Sequence, residues 1–322
     1  MTTYKEIFGK YVKNYSSDPS SDIEGQVWYN STTGVFKTNL NAGAVWASGG
    51  NLGTARYQLG GAGTQTAGLV FGGYTTTEVA NTEEYDGSAW TAGGNLGTTR
   101  ANPAGAGTQT AGLAFGGDIN SGTETSATEE YGGTSWTAGG SLATARRILA
   151  GCGIQTAGLA FGGLTTVNVA NTEEYDGSTW TAGGNLGTAR RILAGAGTQT
   201  AGLAFGGFTT ADTSSTEEYD GSAWTAGGNL NTARRQLAGA GLQTAALGFG
   251  GSTGTVTAAT EEYNGSSWTN STSMATARKQ LAGAGIQTAA LGAGGYISAV
   301  PGVSATEEYT DPSFSTKTIT TS

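Results

Sequence analysis

Histidine is absent from this chain, and cysteine, proline and charged residues are scarce. The 322 residues include no His, one Cys and four Pro, and only 12% of them are charged. Without histidine the chain lacks the commonest general base and the commonest ligand of transition metals. A single cysteine can form neither an intrachain disulfide nor a thiolate metal cluster. These absences disfavour metal-dependent and histidine-based catalysis.

Long apolar runs are also missing. Residues 1–10 contain no apolar stretch of the kind that a signal peptide requires, and no window has the length of a membrane span. The sequence therefore predicts a protein made in a cytoplasm, without membrane insertion. The formal net charge of −9 repels phosphate backbones, so nucleic acid is not an expected partner.

Glycine, in contrast, is abundant, and its 57 residues recur at regular spacing. Tryptophans, arginines, glycine pairs and glutamate pairs share the same period of about 44 residues. The repeated tryptophans are Trp46, Trp90, Trp136, Trp180, Trp224 and Trp268, and the repeated arginines are Arg56, Arg100, Arg146, Arg190, Arg234 and Arg278. Self-similarity at such a period is typical of repeat architectures.

One copy of the repeat spans residues 190–230 and predicts four short strands, at 192–197, 201–205, 216–219 and 223–226. The first strand is rich in Ala and Gly, which suits strands that crowd around an axis. The aromatic residues belong to the outer strands, where there is room for them. Asp220-Gly221 predicts a hairpin with a type I′ turn between the last two strands. Four short antiparallel strands per repeat are typical of propeller blades.

These repeated features resemble those of the Kelch family. The resemblance rests on a Gly-Gly pair after an apolar strand, on a Glu-Tyr-Asp-Gly hairpin such as 218–221, on the Trp that follows, and on an Arg about ten residues beyond that Trp. It covers residues 44 to about 316. The resemblance implies an all-β protein, a Kelch-like β-propeller, in which the shared residues are scaffold.

The sequence leaves two ways of closing this propeller. Six copies contain the first three strands, but Phe314 adds a seventh position of the fourth-strand type to the six tryptophans. In one closure Trp46 completes the sixth blade. In the other it joins residues 26–30, 35–38 and a strand from 4–15 in an irregular seventh blade.

We favour seven blades, because Ala293 replaces the Phe of the other copies and so suggests an unusual neighbour for the sixth blade. In this division residues 1–43 form an N-terminal segment and residues 44–322 form the propeller. Either closure removes exposed sheet edges, which would otherwise promote aggregation.

The N-terminal segment has a resemblance of its own. Ser17-Asp18-Pro19 and the run 24–34 (Glu-Gly-Gln-Val-Trp-Tyr-Asn-Ser-Thr-Thr-Gly) resemble the opening of structural proteins from tailed bacteriophages, especially marine ones. In those proteins such a segment precedes Kelch-like repeats. The resemblance implies a virion or tail-fibre component, with other virion subunits as partners and the virion as its location.

The repeated charged residues are better explained as scaffold than as a catalytic site. Glu217 and Glu218 are adjacent on a predicted strand and therefore point to opposite faces. Paired carboxylates can serve acid–base catalysis, but six equivalent pairs argue for hydrogen bonds or ion pairs. The repeated arginines are expected to tie one blade to the next through these carboxylates, with anion binding as the alternative. Arg147, Arg191 and Arg235 directly follow repeat arginines and are assigned to the same scaffold.

Within the Kelch family, the copper-radical galactose oxidases need two histidines and a tyrosine joined to a cysteine. This chain has no histidine, and Cys152 stands where the other copies have Ala. Cys152 is therefore expected to be a buried small residue. The sequence predicts no catalytic residues, no metal and no cofactor.

The copies differ mainly in the segment between the second and third strands, and by repeat geometry all six segments lie on one face. These segments are 74–81, 118–127, 164–171, 208–215, 252–259 and 296–305. Relaxed constraint on loops explains this variation without any function, whereas a recognition face is the functional interpretation. The candidate binding residues are Tyr74, Asp118, Asn120, Asn168, Phe208, Asp212 and Tyr296.

The sequence thus predicts a non-enzymatic structural or binding protein. We expect a phage virion or tail-fibre-associated component that displays a propeller face to a host-surface glycan or protein. A cellular Kelch-type adaptor or lectin is the alternative. A glycan-active enzyme that uses carboxylates alone is the third hypothesis.

Overall fold

The computed structural model describes residues 12–17, 26–40, 43–120, 122–298, 300–311 and 315–318. Every regular element in these ranges is a β-strand, which confirms the all-β prediction. The chain divides into two compact units, one of residues 1–44 with 311–322 and the other of residues 45–310. The described ranges hold no helix with the length and apolarity needed to cross a membrane.

The unit of residues 45–310 contains six four-stranded antiparallel sheets, one for each sequence repeat. We number them sheets 1 to 6 and label the strands of each sheet a to d in repeat order. Sheets 1 to 3 consist of Gly60–Gly63, Gly68–Phe71, Thr82–Tyr85 and Trp90–Ala92; of Ala104–Gly107, Gly112–Phe115, Thr128–Tyr131 and Trp136–Ala138; and of Ala150–Ile154, Ala157–Phe161, Thr172–Tyr175 and Trp180–Ala182. Sheets 4 to 6 consist of Ala194–Gly197, Gly202–Phe205, Thr216–Tyr219 and Trp224–Ala226; of Ala238–Leu242, Ala245–Phe249, Thr260–Tyr263 and Trp268–Ser271; and of Ala282–Ile286, Ala289–Ala293, Thr306–Thr310 and Val45–Ser48. A two-stranded hairpin, Asp118–Ile119 with Thr123–Glu124, follows strand b of sheet 2.

The four predicted strands of the 190–230 repeat are confirmed, except that strands b and d begin one residue later than predicted and strand a begins two residues later. Strand a begins at Ala194 because Ile192 has a φ of +49°, outside the extended region. The expected crowding of the innermost strands is also confirmed. A Cβ atom on Gly239 would lie 2.5 Å from the carbonyl oxygen of Gly195 in the neighbouring strand a.

The turn between strands c and d forms where Asp-Gly predicted it, but the predicted type I′ geometry is wrong. Type I′ requires a positive φ at both central residues, and in this turn only Gly221 has one, of +90°. The Asp220 carboxylate instead accepts the backbone N–H groups of Ser222 and Ala223, each at 2.8 Å. These side-chain bonds replace one backbone bond of a regular hairpin.

The fourth strand of sheet 6 comes from the other end of the unit. Val45–Ser48 pairs antiparallel with Thr306–Thr310, and Trp46 lies opposite Tyr309. Strand d of sheet 4 has the same register, with Trp224 opposite Tyr219. The favoured seven-blade prediction, which placed Trp46 in an N-terminal meander, is therefore wrong at this strand. The observed pairing is the one that the six-blade alternative described.

The other unit holds a four-stranded sheet of its own. Its strands lie in the order Lys13–Tyr15, Val27–Asn30, Val35–Leu40 and Ser315–Thr318, and the first pair is parallel. The predicted hairpin of 26–30 with 35–38 is confirmed. Phe314 lies outside the described residues. The attachment role expected for residues 1–43 stays a prediction.

Neighbouring repeat sheets are joined by contacts that recur from copy to copy. The indole Nε1 of Trp136 in sheet 2 donates to Thr82 of sheet 1 at 2.9 Å. The same bond joins Trp46 of sheet 6 to Thr260 of sheet 5 at 3.1 Å. It also joins Trp90 of sheet 1 to sheet 6, through Thr306 at 2.9 Å. Sheet 6 is therefore joined to sheet 1 by the same Trp–Thr bond that links consecutive sheets elsewhere.

The contact between sheets 6 and 1 is unusual in one respect. Elsewhere a strand-b Phe packs on the next sheet's Trp, as Phe205 does on Trp268 with ring centroids 4.8 Å apart. Ala293 replaces that Phe, and it is buried with Val70 of sheet 1 and packs against Trp90. Val70 occupies a position that is Ala or Gly in the other copies. The added methyl groups of Val70 therefore replace part of the volume that the missing ring leaves.

We expect Trp46→Ala to destabilise the protein about as much as Trp136→Ala. Both indoles are half-buried, face a Tyr on strand c and donate to a Thr of the preceding sheet. The expected loss of unfolding free energy is about 3 kcal/mol for each, measured by denaturant titration. A loss for Trp46→Ala of less than half that of Trp136→Ala would contradict the pairing of residues 45–48 with sheet 6.

A second prediction concerns Val70 and Ala293. Ala293→Phe alone overfills the contact and should cost about 1–3 kcal/mol. Adding Val70→Ala restores the residue types of the other copies and should recover at least about 1 kcal/mol of that loss. A double-mutant cycle from denaturation midpoints measures this coupling. Purely additive effects would show that the two residues do not share a contact.

Candidate binding face

The repeated arginines are buried inside the scaffold. All six guanidinium side chains have zero exposure, and each pairs with the first Glu of a strand c, as Arg190 does with Glu217 at 2.9 Å. Since they present no surface, they offer no site to an external anion.

Each of these arginines also ties two repeats together, but not through the carboxylates as the sequence predicted, because the Glu partner belongs to the arginine's own repeat. The Nη1 group of Arg146 donates to the carbonyls of Gly162 and Asn171 in the third repeat, at 3.0 and 2.6 Å. Its own carbonyl accepts the N–H of Gly117 in the second repeat at 3.0 Å. Arg146 therefore fixes the connection between sheets 2 and 3.

The second Glu of each pair contacts a tyrosine of the next sheet. The Tyr219 hydroxyl donates to Glu174 at 2.5 Å, and Tyr263 donates to Glu218 at the same distance. Burial, together with the hydrogen bond to the carboxylate, raises the pKa of Tyr219 and of Tyr263 to about 12. Both carboxylates of each pair thus serve the scaffold, as the sequence predicted.

Cys152 is buried in the packed core with Leu159, Leu193 and Ala204. This confirms that it replaces a small inner residue. Burial raises the pKa of its thiol to about 12, so the thiolate is not formed near neutral pH. Within the described ranges, no group of three or more Cys, Asp or Glu side chains is arranged to hold a metal ion.

The variable segments begin beside a mouth that all six repeats line. The first residue of a variable segment bridges to the residue after a repeat arginine, as in the pairs Tyr57–Tyr74, Arg191–Phe208 and Lys279–Tyr296. The second residue after each repeat arginine lines a cavity of about 110 Å³, which we call the mouth. The six residues at its rim are Gln58, Asn102, Ile148, Ile192, Gln236 and Gln280.

The rim residues share an uncommon backbone conformation. All six have a φ between +48° and +59°, which costs a non-glycine residue about 1–2 kcal/mol. Backbone bonds from one repeat to the next hold them: Gln236 N–H donates to Ile192 O, and Ile192 N–H donates to Ile148 O, both at 2.9 Å. The rim is therefore a fixed frame on which the side chains vary.

Three of the candidate residues, Asn168, Phe208 and Asp212, come together with Arg191 and Arg235. We call these five residues the Phe208 cluster. The two guanidinium carbons lie 4.9 and 5.0 Å from the Phe208 ring centroid. Arg191 donates to the Asn168 side-chain oxygen at 2.8 Å, and Arg235 pairs with Asp212 at 2.9 Å. The sequence prediction had separated these residues into two loops and two scaffold positions.

Tyr74 and Tyr296 form a second group with Tyr57 and Lys279. The Tyr57 ring centroid lies 5.5 Å from that of Tyr74 and 5.7 Å from that of Tyr296. The Lys279 ammonium is 5.0 Å from the Tyr296 centroid. Burial, followed by the neighbouring tyrosines, raises the pKa of Tyr57. These half-buried rings give the face an aromatic surface.

Asp118 and Asn120 belong to a third group, in the short hairpin of repeat 2. Asp118 is 7% exposed and accepts the Asn102 side-chain N–H at 2.7 Å. Its burial raises the pKa of the carboxyl. Asn120 is exposed at the hairpin tip with a φ of +49°. Arg147, in the same hairpin region, pairs with Glu124 at 3.4 Å.

Sequence reasoning missed the residue that follows each repeat arginine. Arg147, Arg191 and Arg235 were assigned to the scaffold, but each is partly exposed beside a variable segment. A signal was present, because this position differs between copies. It reads Tyr57, Ala101, Arg147, Arg191, Arg235 and Lys279 through the six repeats. The positive φ at the rim had no such signal, since β-branched Ile residues rarely adopt it.

Comparison with known protein families finds no family model that matches the chain. A search of curated proteins finds no significant relative. The interpretation of this face therefore rests on its residues and their geometry.

The tyrosine–glutamate bonds predict loss of stability in alkali. Folded Tyr219 has a pKa near 12, above the ordinary value of 10.0 that it regains on unfolding. A raised pKa means that its stabilising contribution is complete below about pH 10 and is lost as the pH rises towards 12. The free energy of unfolding should fall across this range, and tyrosinate absorbance should rise late. If Tyr219 and the equivalent tyrosines of the other copies ionise near pH 10 in the folded protein, these bonds are absent.

Proposed function

We propose that this chain is a non-enzymatic binding protein built on a six-bladed, Kelch-like β-propeller. The six repeat sheets and the bonds that recur between sheet 6 and sheet 1 support a closed ring. The glutamine bonds support it too, because Gln65 of sheet 1 donates to the Tyr309 carbonyl of sheet 6 at 2.5 Å, as Gln109 donates to that of Tyr85 at 2.6 Å. A closed ring leaves the shared residues as scaffold.

One observation carries the binding role: the residues that differ between copies lie together around the mouth, whereas the shared charged residues are buried. The Phe208 cluster and the tyrosines beside Lys279 both belong to this variable set. Uniform relaxation of loop residues would not bring half-buried aromatic and charged side chains into mutual contact. The face is therefore proposed as the recognition surface.

A glycan is the ligand that suits these side chains best. Aromatic rings offer flat faces on which the apolar side of a sugar ring can stack. The rim adds the amide side chains of Gln58, Asn102, Gln236 and Gln280 around the mouth. Amides can both donate to and accept from sugar hydroxyls.

The virion role rests on the N-terminal sequence. The run 24–34 resembles the opening of tailed-phage structural proteins, and residues 1–44 with 311–322 form a compact unit apart from the repeats. This organisation supports a division of labour in which that unit attaches to other virion subunits and the propeller binds a host-surface glycan. Detection of the protein in purified particles by mass spectrometry tests the location.

A binding screen tests the recognition face. The purified protein is applied to an array of host-surface saccharides, and Tyr74→Ala and Tyr296→Ala should each weaken binding by about tenfold, because one stacking contact is worth ~1–2 kcal/mol. Leu242→Ala is the control, since Leu242 is 52% exposed at the opposite end of strand a from the rim. Its affinity should equal that of the unmodified protein.

Several results would count against the proposal. Binding that survives every change on the face but is lost with Leu242→Ala would place the site elsewhere. Turnover of a bound saccharide, lost on replacing one Asp or Glu, would make the protein an enzyme. Recovery of a soluble protein partner, without particles or saccharide, would favour a cellular adaptor.

A further inference from the structure

We infer that the Phe208 cluster binds the carboxylate of an acidic sugar, an inference that rests on the proposed function of the face. Arg191 is the residue that would contact the carboxylate. It is half-buried, and it stands at a position that is neutral in two of the six copies and cationic in four.

The charges around Phe208 are not balanced. Arg235 is compensated by Asp212 at 2.9 Å, whereas the recorded partner of Arg191 is the neutral Asn168 amide at 2.8 Å. Among the described residues, no carboxylate pairs with Arg191. Both guanidinium carbons lie within 5.0 Å of one ring centroid, so they are at most about 10 Å apart. An added anion beside Arg191 would relieve this excess of positive charge.

The cluster holds Arg191 in place before any ligand arrives. The Asn168 side-chain N–H group donates to the carbonyls of Phe208 and Thr209, at 3.3 and 3.0 Å. This fixes the amide with its oxygen towards Arg191. The backbones of Arg191 and Phe208 also exchange two hydrogen bonds, at 3.1 and 2.9 Å. A guanidinium held in this way loses little freedom on binding, and its planar fork matches a carboxylate.

A sugar carboxylate fits this cluster better than a dense polyanion. The protein carries a net charge of −9, which repels a chain of phosphates or sulfates. One uncompensated guanidinium beside an aromatic ring suits a sugar that carries a single carboxylate, because the apolar face of the sugar can pack on the aromatic ring. Lys279, next to the Tyr296 ring, likewise has no carboxylate pair among the described residues. A second acidic sugar of an oligosaccharide would find a cation there.

The test compares two forms of one saccharide by isothermal titration calorimetry. Digalacturonate carries one carboxylate on each of its two sugars, and its methyl ester keeps the same sugar rings without charge. We expect the acid to bind at least about tenfold more tightly than the ester, and Arg191→Gln to remove that preference. Lys13→Gln is the matched control, since Lys13 is exposed on a strand of the other unit and its replacement changes the net charge by the same amount. It should change the affinity by less than about twofold.

Two further arms separate the inference from the proposed function. If the ester binds as tightly as the acid, or if Lys13→Gln and Arg191→Gln weaken binding equally, the carboxylate site is wrong while glycan binding stands. If a single-stranded oligonucleotide binds as well as the acid, the face attracts any polyanion and the inference fails. If neither saccharide binds and no saccharide on the array binds either, the proposed glycan function fails together with the inference. Unchanged thermal unfolding of both variants shows that the fold is kept.

Discussion

The buried arginine of each repeat is the interaction on which the rest of the structure depends. A guanidinium without access to water costs several kcal/mol unless it is fully paired. Arg146 meets most of this demand with Glu173 at 3.1 Å and with the carbonyls of Gly162 and Asn171, while its Nε group has no hydrogen-bond partner among the described residues. These partners all belong to the third repeat, so Arg146 fixes the connector that precedes sheet 3. Six such arginines give six equivalent connectors.

That equivalence explains why variation is tolerated around the mouth. The rim residues lie two positions after each arginine, and their backbones are fixed by bonds to the neighbouring repeat. A non-glycine residue such as Ile148 keeps a φ of +48° because this frame over-determines it. Side chains at the rim and beside it can then change without moving the scaffold. The residues that vary between copies therefore stand on a frame that the shared residues hold in place.

Much of this scaffold could be predicted from one sequence, because the repeat shows which residues are equivalent. Strand positions, the scaffold role of Glu217 and the burial of Cys152 followed from equivalence alone. The turn at Asp220 formed where it was predicted, but its predicted type was wrong, because the Asp220 carboxylate replaced a backbone bond. The strand of Trp46 was misplaced because a period does not say which end completes a sheet. Val70 and Ala293 compensate each other in one buried cluster although 223 positions of the chain separate them. Comparing equivalent residues of the copies does not show that two such positions are in contact.

The candidate site shows the complementary limit, because its information lies in departures from the repeat. Neighbours in an extended segment point to opposite sides, so Arg190 is buried while Arg191 reaches the face. Adjacency in sequence therefore misled the assignment of Arg191 to the scaffold. Through the copies this position carries Tyr57 and Ala101, then four cations from Arg147 to Lys279. The six copies therefore differ in charge and aromatic character at this face, although the scaffold beneath them repeats six times.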